Sequence, residues 1–564
     1  MTQPLMRNRA NNTQARIPWI SKPRSIFPIN KSVKQTQKAS YLVPIFFEEV
    51  MPGDTWELNL DMFIRLMPQV TAPSDNLYAS TFFFYDPTRL IWPNFTKQHG
   101  ERENPEDTID YLSPKLLGYG DNKDEEFPAK SLQDYLGKPP LQGYYETTSF
   151  GERIYNHVYN EYFRASTIED SVYLNKSDSD DDPINYPLRR ISKMHDYFTD
   201  CLKNLQMGDP VTMPLGTTAP IITNDEIPKI TLGQSGTGTP IETRNMVYSK
   251  NSSYETLRLG SVTSGNGTYQ VRWGDETGLI ADLSNATAAT IASLRLMIDT
   301  QAILEGDNRS GVRYTEIMQS RYGVLNPDLR LMRPQYLGGT KTPIFTTPVI
   351  QTSGTGITDQ ATPQGNIAGQ ATAGDSGKVI KASFGEFGHI LGLLAITAVP
   401  QYQQGLHRKF SRFERFDYAY PEFMGLSDQD VKEKEIYVQA DTTTDAITGE
   451  KSNDKVFGYI GRYDEYRYFN NEVRGELRST YPQSLDVWTY SEKFENEPVL
   501  NADFLHDKTA EVLQRSLAVT NDEDEDIEDQ FIVDCQYTGA VTRILTSKPV
   551  PQTGGRILWQ QEKF

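Results

Sequence analysis

Residues 42–67 read LVPIFFEEVMPGDTWELNLDMFIRLM, two runs rich in aromatic and β-branched residues, Leu42–Val50 and Trp56–Met67, parted by Met51-Pro-Gly-Asp54. Side chains of these kinds suit a pleated, half-buried surface. Pro52 and Gly53 supply the backbone angles of a tight turn. The stretch therefore predicts two strands joined by a turn, with a third strand at Ser80–Tyr85.

Strand candidates recur far down the chain. Phe387–Val399 is a nearly continuous apolar run stopped by Pro400, the pattern of a strand buried on both faces, although a buried helix shares it. Glu435–Gln439, Val456–Ile460 and Phe531–Thr542 follow. Strands near both ends of a 564-residue chain imply long-range pairing. Between them, Gly143–Phe163 carries seven aromatics and is assigned to helix. Ile291, Leu294, Met297 or Ile298, and Ala302 repeat at helical spacing up to Glu305, with Gly306 as the stop. From Val211 to Thr290, Gly, Ser, Thr and Asn make up 35 of 80 residues, a composition for hairpins and exposed loops and hence one large surface insertion. Residues 338–378 are again rich in Gly and Thr. A single β body with long excursions is the simplest organisation.

Composition agrees. The 33 Pro, 40 Gly, 31 Tyr and 25 Phe weight the chain towards turns and aromatics, so it reads as β-rich and loop-rich. Cys201 and Cys535 are too few for a disulfide scaffold or a thiolate metal site, which fits a reducing compartment. The N-terminus lacks the apolar stretch of a signal peptide, and the longest apolar run, Ile390–Val399, is about half a membrane span, so no membrane insertion is expected. Net charge is −19, unevenly spread. Arg7, Arg9, Arg16, Lys22, Arg24, Lys31, Lys34 and Lys38 precede the first acidic residue, Glu48. The first forty residues thus carry +8, and the remaining 48 basic against 75 acidic residues leave −27. With Pro at 4, 18, 23 and 28, this segment reads as an extended basic arm rather than a packed element.

Reactive constellations are poor. The six histidines are scattered without metal-ligand spacing, so no metal site is expected. His195, Asp196 and Cys201 are sequence neighbours, for which packing is the far commoner role than a nucleophile and its base. Gly374-Asp-Ser-Gly-Lys378 has the wrong spacing for a phosphate loop and Val379 where Ser or Thr must stand, and reads as a flexible loop beside a strand. Asp178, Asp180 and Asp182 begin like an EF-hand loop, but Pro183 and Arg189 occupy its Gly and Glu positions. That acidic run and Asp522–Asp529 would at most hold a divalent cation loosely, and a solvated acidic loop is the expectation for both. No catalytic residue and no cofactor are assigned.

The arm is the best chemical signal. Arg7, Arg9, Arg16, Lys22 and Arg24 on an extended chain neutralise phosphates without reading sequence, and Trp19 can stack on an unpaired base. An arm that bridges neighbouring subunits accounts for the same residues equally well. If all eight arm cations met a single strand, the log–log salt slope would be no steeper than about −6. In the insertion, Tyr254, Tyr269 and Trp273 are aromatics in polar loops, suited to a ligand or cell-surface receptor and equally to a mini-core.

Several segments resemble, in order, those of the Microviridae major capsid proteins, specifically the gokushovirus-like branch. Pro44-Ile-Phe-Phe-Glu-Glu-Val-Met-Pro-Gly-Asp54 resembles that family's opening strand and turn, and Phe83-Phe-Tyr-Asp-Pro-Thr-Arg-Leu-Ile-Trp92 its aromatic strand. Gly208-Asp-Pro-Val-Thr-Met-Pro-Leu-Gly216, Glu305-Gly-Asp-Asn-Arg-Ser-Gly-Val-Arg-Tyr314 and Arg333-Pro-Gln-Tyr-Leu-Gly-Gly339 follow. So do Gly385-Glu-Phe-Gly-His389, Tyr402-Gln-Gln-Gly405, Phe457-Gly458 and Ser484-Leu-Asp-Val-Trp488, so the resemblance spans nearly the whole chain. The C-terminal Gln552–Phe564 departs from the family's usual Pro/Gly-ending tail.

The resemblance implies a mainly β fold, an eight-stranded antiparallel jelly roll with long loop insertions and a few helices. It also implies many copies in an icosahedral virion capsid around circular single-stranded DNA, assembled in the bacterial host cytoplasm. Expected partners are a second copy, the genome, an internal scaffolding protein, a small basic DNA-binding protein, a minor pilot protein and a host receptor. The chain then divides into a basic arm over residues 1–40, a first part of the roll over 41–213, an insertion at the threefold protrusion over 214–290, a second part over 291–545 and a tail over 546–564. The rivals are a monomeric jelly-roll carbohydrate-binding module, and a β-rich hydrolase for which the sequence offers no coherent acid/base set.

Overall fold

The computed structural model describes residues 24–545, apart from segments within 210–290, 324–331, 351–366, 441–450 and 519–528 and a few single loop positions. Eight antiparallel strands build the body: β1 Ser25–Gln37, β2 Val43–Val50, β3 Thr55–Leu66, β4 Leu77–Pro87, β5 Lys341–Ile350, β6 Ile367–Ser383, β7 Gly388–Ala398 and β8 Phe531–Arg543. They form two sheets, ordered β1-β8-β3-β6 and β2-β7-β4-β5, the interleaved double Greek key of a jelly roll. The sheets are continuous through β5. Its Lys341–Ile344 pairs with β4, and its Phe345–Ile350 pairs with β6.

The strand–turn–strand reading of residues 42–67 is what the chain does. In β3, Trp56, Leu58, Leu60, Met62, Ile64 and Leu66 are buried while Glu57, Asn59, Asp61 and Arg65 face outward, so one pleat face meets the core and the other does not. The Asp54 amide donates to the Met51 carbonyl at 3.0 Å, and the Asp54 carboxylate accepts from Met51 N–H at 3.1 Å. Gly53 sits at φ +88°, and a Cβ there would come within 2.8 Å of Ile544 Cδ1. Only glycine fits that corner.

β7 explains its own apolar run. Ile390, Leu394 and Ile396 point into the core between the sheets. The alternate residues Leu391, Leu393 and Ala395 join a second core with Phe84, under α1 (Phe150–Val158) and its π-helical extension Tyr159–Phe163. A central strand covered on both faces has no solvated side on which to place polar residues. A third, smaller core gathers Phe198, Tyr402, Val431, Phe457 and Phe504 around the hairpin of Gln429–Lys432 and Val456–Ile460.

Several sequence expectations need correction. The arm is extended but not unpacked throughout: Ser25–Gln37 is β1, paired along its length with β8. Its sequence hides the packing because its alternation sets Phe27, Ile29 and Val33 only half buried against Ile26, Pro28, Asn30 and Lys34, too weak an apolar signal. Within residues 338–378, for which the Gly/Thr-rich composition predicts no strand, lie β5 and most of β6. Gly374–Lys378 is β6 backbone paired with Asn59–Phe63 rather than a loop, held by its ladder to β3 and not by its own side chains. Glu433–Glu435 forms a single 3-10 turn instead of starting a strand. The helix from Ile291 runs past Gly306 to Ser310, a glycine costing a helix only about 1 kcal/mol.

By contact density the chain falls into two compact units, Gln206–Asp307 and the remainder. The first holds short antiparallel pairs, among them Pro240–Asn251 with Tyr254–Leu259 and Lys229–Gln234 with Tyr269–Trp273.

Candidate functional site

The arm's own strand changes the count of free cations. Arg24 is exposed just ahead of β1. Lys31 Nζ lies 2.6 Å from Glu48 on β2, bridging the outer strands of the two sheets, and Lys34 lies 3.8 Å from Asp534 on β8. Two of the eight cations therefore serve the roll. Arg7, Arg9, Arg16, Trp19 and Lys22 lie outside the described residues. In the insertion, backbone pairing sets Tyr254 opposite Asn251, Tyr269 opposite Gln234 and Trp273 opposite Ile230; their side chains, like the tail 546–564, lie outside what is described.

The acidic run Asn175–Asp182 is exposed from Lys176 to Asp180, as a solvated loop should be, but one of its carboxylates is not. Asp181 is fully buried and receives Arg153 Nε at 2.6 Å, Asn175 Nδ2 at 3.0 Å and the Tyr186 hydroxyl at 2.8 Å. Arg153 spends its remaining donors on the carbonyls of Ser177 and Ser179, both at 3.0 Å. Asp178 accepts from Trp92 Nε1 at 2.6 Å and Asn94 Nδ2 at 2.9 Å, which hold its carboxyl below the usual range. Asp181 thereby holds α1 and Asp178 the Thr88–Trp92 turn, while Asp180 accepts from the Lys115 amide at 3.0 Å and Asp182 from the Ile184 amide at 3.1 Å. Of the second acidic run only Asp529 is described, buried and bonded by the Thr36 hydroxyl.

No nucleophile is assembled around His195. Its Nδ1 meets Asp200 at 2.5 Å, while Cys201 is buried, donates to the Tyr197 carbonyl, and has its thiol pushed up by desolvation. His157 Nδ1 meets Asp86 at 2.7 Å in a buried tie between α1 and β4. His389, stacked on Phe47 with centroids 5.1 Å apart, is driven down to about 4 by burial and stays neutral. Among the described residues no group of three or more His, Cys, Asp or Glu is placed to hold a metal ion, and no helix is long and apolar enough to cross a membrane.

What sequence reasoning missed is a surface. Residues 407–426 form three single 3-10 turns, at Arg408–Phe410, Arg415–Asp417 and Pro421–Phe423, that present Phe410, Phe413 and Phe416 outward, with arginines over neighbouring rings. The signal was legible as the interleaved HRKFSRFERFDYAYPEF of residues 407–423, though without strand or helix period.

A double Greek key with long loops and broad exposed faces is the architecture of viral shell and lectin-like domains, and places this chain among structural or recognition proteins. The comparisons with known proteins decide between them. Residues 15–553 match the family described as Capsid protein (F protein). The chain is 37% identical to the capsid protein VP1 of Bdellovibrio phage phiMH2K over 96% of its own length and 98% of the relative's. It is 33% identical to capsid protein VP1 of Chlamydia phage 1 over 97% and 98%, and 30% identical to that of Spiroplasma virus 4 over 88% and 90%. The chain belongs to this capsid protein family, a structural protein of the virion and a Microviridae-type coat.

Proposed function

We propose that the chain is the repeating subunit of an icosahedral shell that encloses circular single-stranded DNA, with the insertion at 214–290 meeting the host receptor and the basic arm meeting the genome. The observation that carries this reading is the complete jelly roll, built from strands at both ends of a chain that is similar along 96% of its length to a phage capsid protein. Symmetric repetition of one subunit closes a shell and so ends its own growth. The body's −27 repels phosphate, so a separate small basic protein neutralises most of the genome. Six arm cations remain once Lys31 and Lys34 are set aside, which limits the salt slope of the arm's own contacts to about −4. An internal scaffolding protein and a minor pilot protein complete the expected partners, and a divalent cation would be held only loosely.

Negative-stain microscopy of the protein co-expressed with its natural partners, with nucleic acid extracted from the particles, tests the reading. Closed particles containing circular single-stranded DNA are expected; isolated globules under all infection-permissive conditions defeat it. Deleting residues 2–23 leaves the roll intact and lowers the yield of filled particles. Replacing Pro220–Leu279 by a short linker keeps assembly and abolishes attachment, whereas loss of assembly would make the insertion structural.

A further inference from the structure

We infer that the aromatic and arginine face of residues 407–426 is a contact between copies of this chain, an inference that rests on the shell-forming role proposed above. Phe413 is 87% exposed, Phe416 65%, Phe410 63%, Met424 58%, and Tyr418 and Leu426 53% each. With side chains of these kinds carrying roughly 150–250 Å² apiece, this one segment exposes about 700 Å² of largely apolar surface. The largest patch on an ordinary monomer is about 300–600 Å², and each partner of a standard interface contributes about 800 Å². The area is that of one half of an interface.

The backbone under the face is tied down by hydrogen bonds before anything binds. Asp417 accepts from the amides of Phe413 and Glu414, both at 2.8 Å, and the Tyr420 amide donates to the Tyr463 hydroxyl at 3.1 Å. Arg415 lies over the Phe416 ring at 5.6 Å and Arg462 over Phe423 at 6.0 Å. A backbone already tied down loses little freedom on docking, and exposed aromatics with Arg are the composition of interface hot spots. Phe410 also borders a cavity of about 380 Å³ with Tyr402, Leu406 and Tyr468, a socket for a projecting apolar side chain.

Charge excludes one occupant. Residues 407–426 carry four cations and three carboxylates, a net of +1. Arg408 is already paired with Glu435 at 3.3 Å, and Arg412 with Glu465 at 3.0 Å. Too little positive charge is left unpaired to gather a phosphate backbone. A second copy offers apolar surface instead, and the area exposed here matches what one partner brings to a standard interface.

Cys201 and Cys535 are both buried, so Phe413→Cys introduces the one exposed thiol on the chain. A photo-crosslinker attached there in particles made with the natural partners should yield a covalent dimer of the coat chain. Crosslinks solely to nucleic acid or to another protein, or none, overturn the inference. In parallel, Phe413→Ser with Phe416→Ser should leave the melting temperature and circular dichroism unchanged while cutting particle yield at least tenfold. Leu112→Ser, at a site 81% exposed elsewhere, should leave the yield unchanged. Wild-type yield from the double variant, or an equal loss from Leu112→Ser, also overturns it. Failure of the wild-type chain to form particles would instead defeat the shell-forming role itself.

Discussion

β7 and β1 belong to the same roll and are about equally long, yet one declares itself in sequence and the other hides. β7 is central in its sheet, with α1 on one side and the facing sheet on the other, and its side chains from Ile390 to Ala398 are nearly all buried. β1 is the outermost strand of its sheet, half buried on one face and solvated on the other, with Lys31 and Lys34 among its residues. Charged side chains on an edge strand also discourage pairing with stray chains. The same backbone ladder thus produces an apolar run where two faces are covered and a polar, basic string where half of one is.

The sharpest way to break this contrast is to truncate both strands. Leu394→Ala, at a fully buried position, should destabilise by about 2–5 kcal/mol through lost burial and a residual cavity. Val33→Ala on β1 should cost only about 1 kcal/mol. Equal losses in urea unfolding would mean that β1 is as much a core element as β7.

The link between β1 and β2 supplies a pH test of intermediate size. Ser40 donates to Asp507 at 2.5 Å, and burial pushes the Asp507 carboxyl up to about 6. A carboxyl whose folded pKa stands above its unfolded value of about 3.9 favours the folded state in its protonated form. That contribution, about 2–3 kcal/mol, is complete below pH 4 and lost as pH rises through 6. Asp507→Asn should flatten the stability profile between pH 4 and 6; an unchanged profile would place the titration elsewhere.

The smallest effect concerns the exposed seam. Lys31→Ala removes a half-exposed ion pair with Glu48 and should change stability by less than about 1 kcal/mol. If the loss exceeds 2 kcal/mol, the seam between the sheets depends on that bridge more than on β1–β8 pairing.

Much of the fold could be read ahead of the coordinates. Trp56 to Leu66 alternate because one face is wet, and Phe387–Val399 run apolar because neither face is. Gly374–Lys378 misled because its glycines and serine look like loop, yet they lie in a ladder against β3 where small side chains suffice. Asp181 misled because a run of aspartates reads as solvated, and only the fold brings Arg153, 28 residues away, to neutralise it. The surface at 407–426 escaped because its aromatics follow three successive 3-10 turns, which have no long-range period.

By itself the sequence determined the β character, the first turn, the doubly buried strand, the basic N-terminus and the family, since each is a property of neighbouring residues or of motifs in order. Tertiary structure alone decided that β1 closes against β8 some five hundred residues later, that Asp181 of the acidic run is buried against Arg153, and which aromatics remain outside. Those outcomes depend on which distant surfaces meet, and burial is settled only when both sides of a contact are in place.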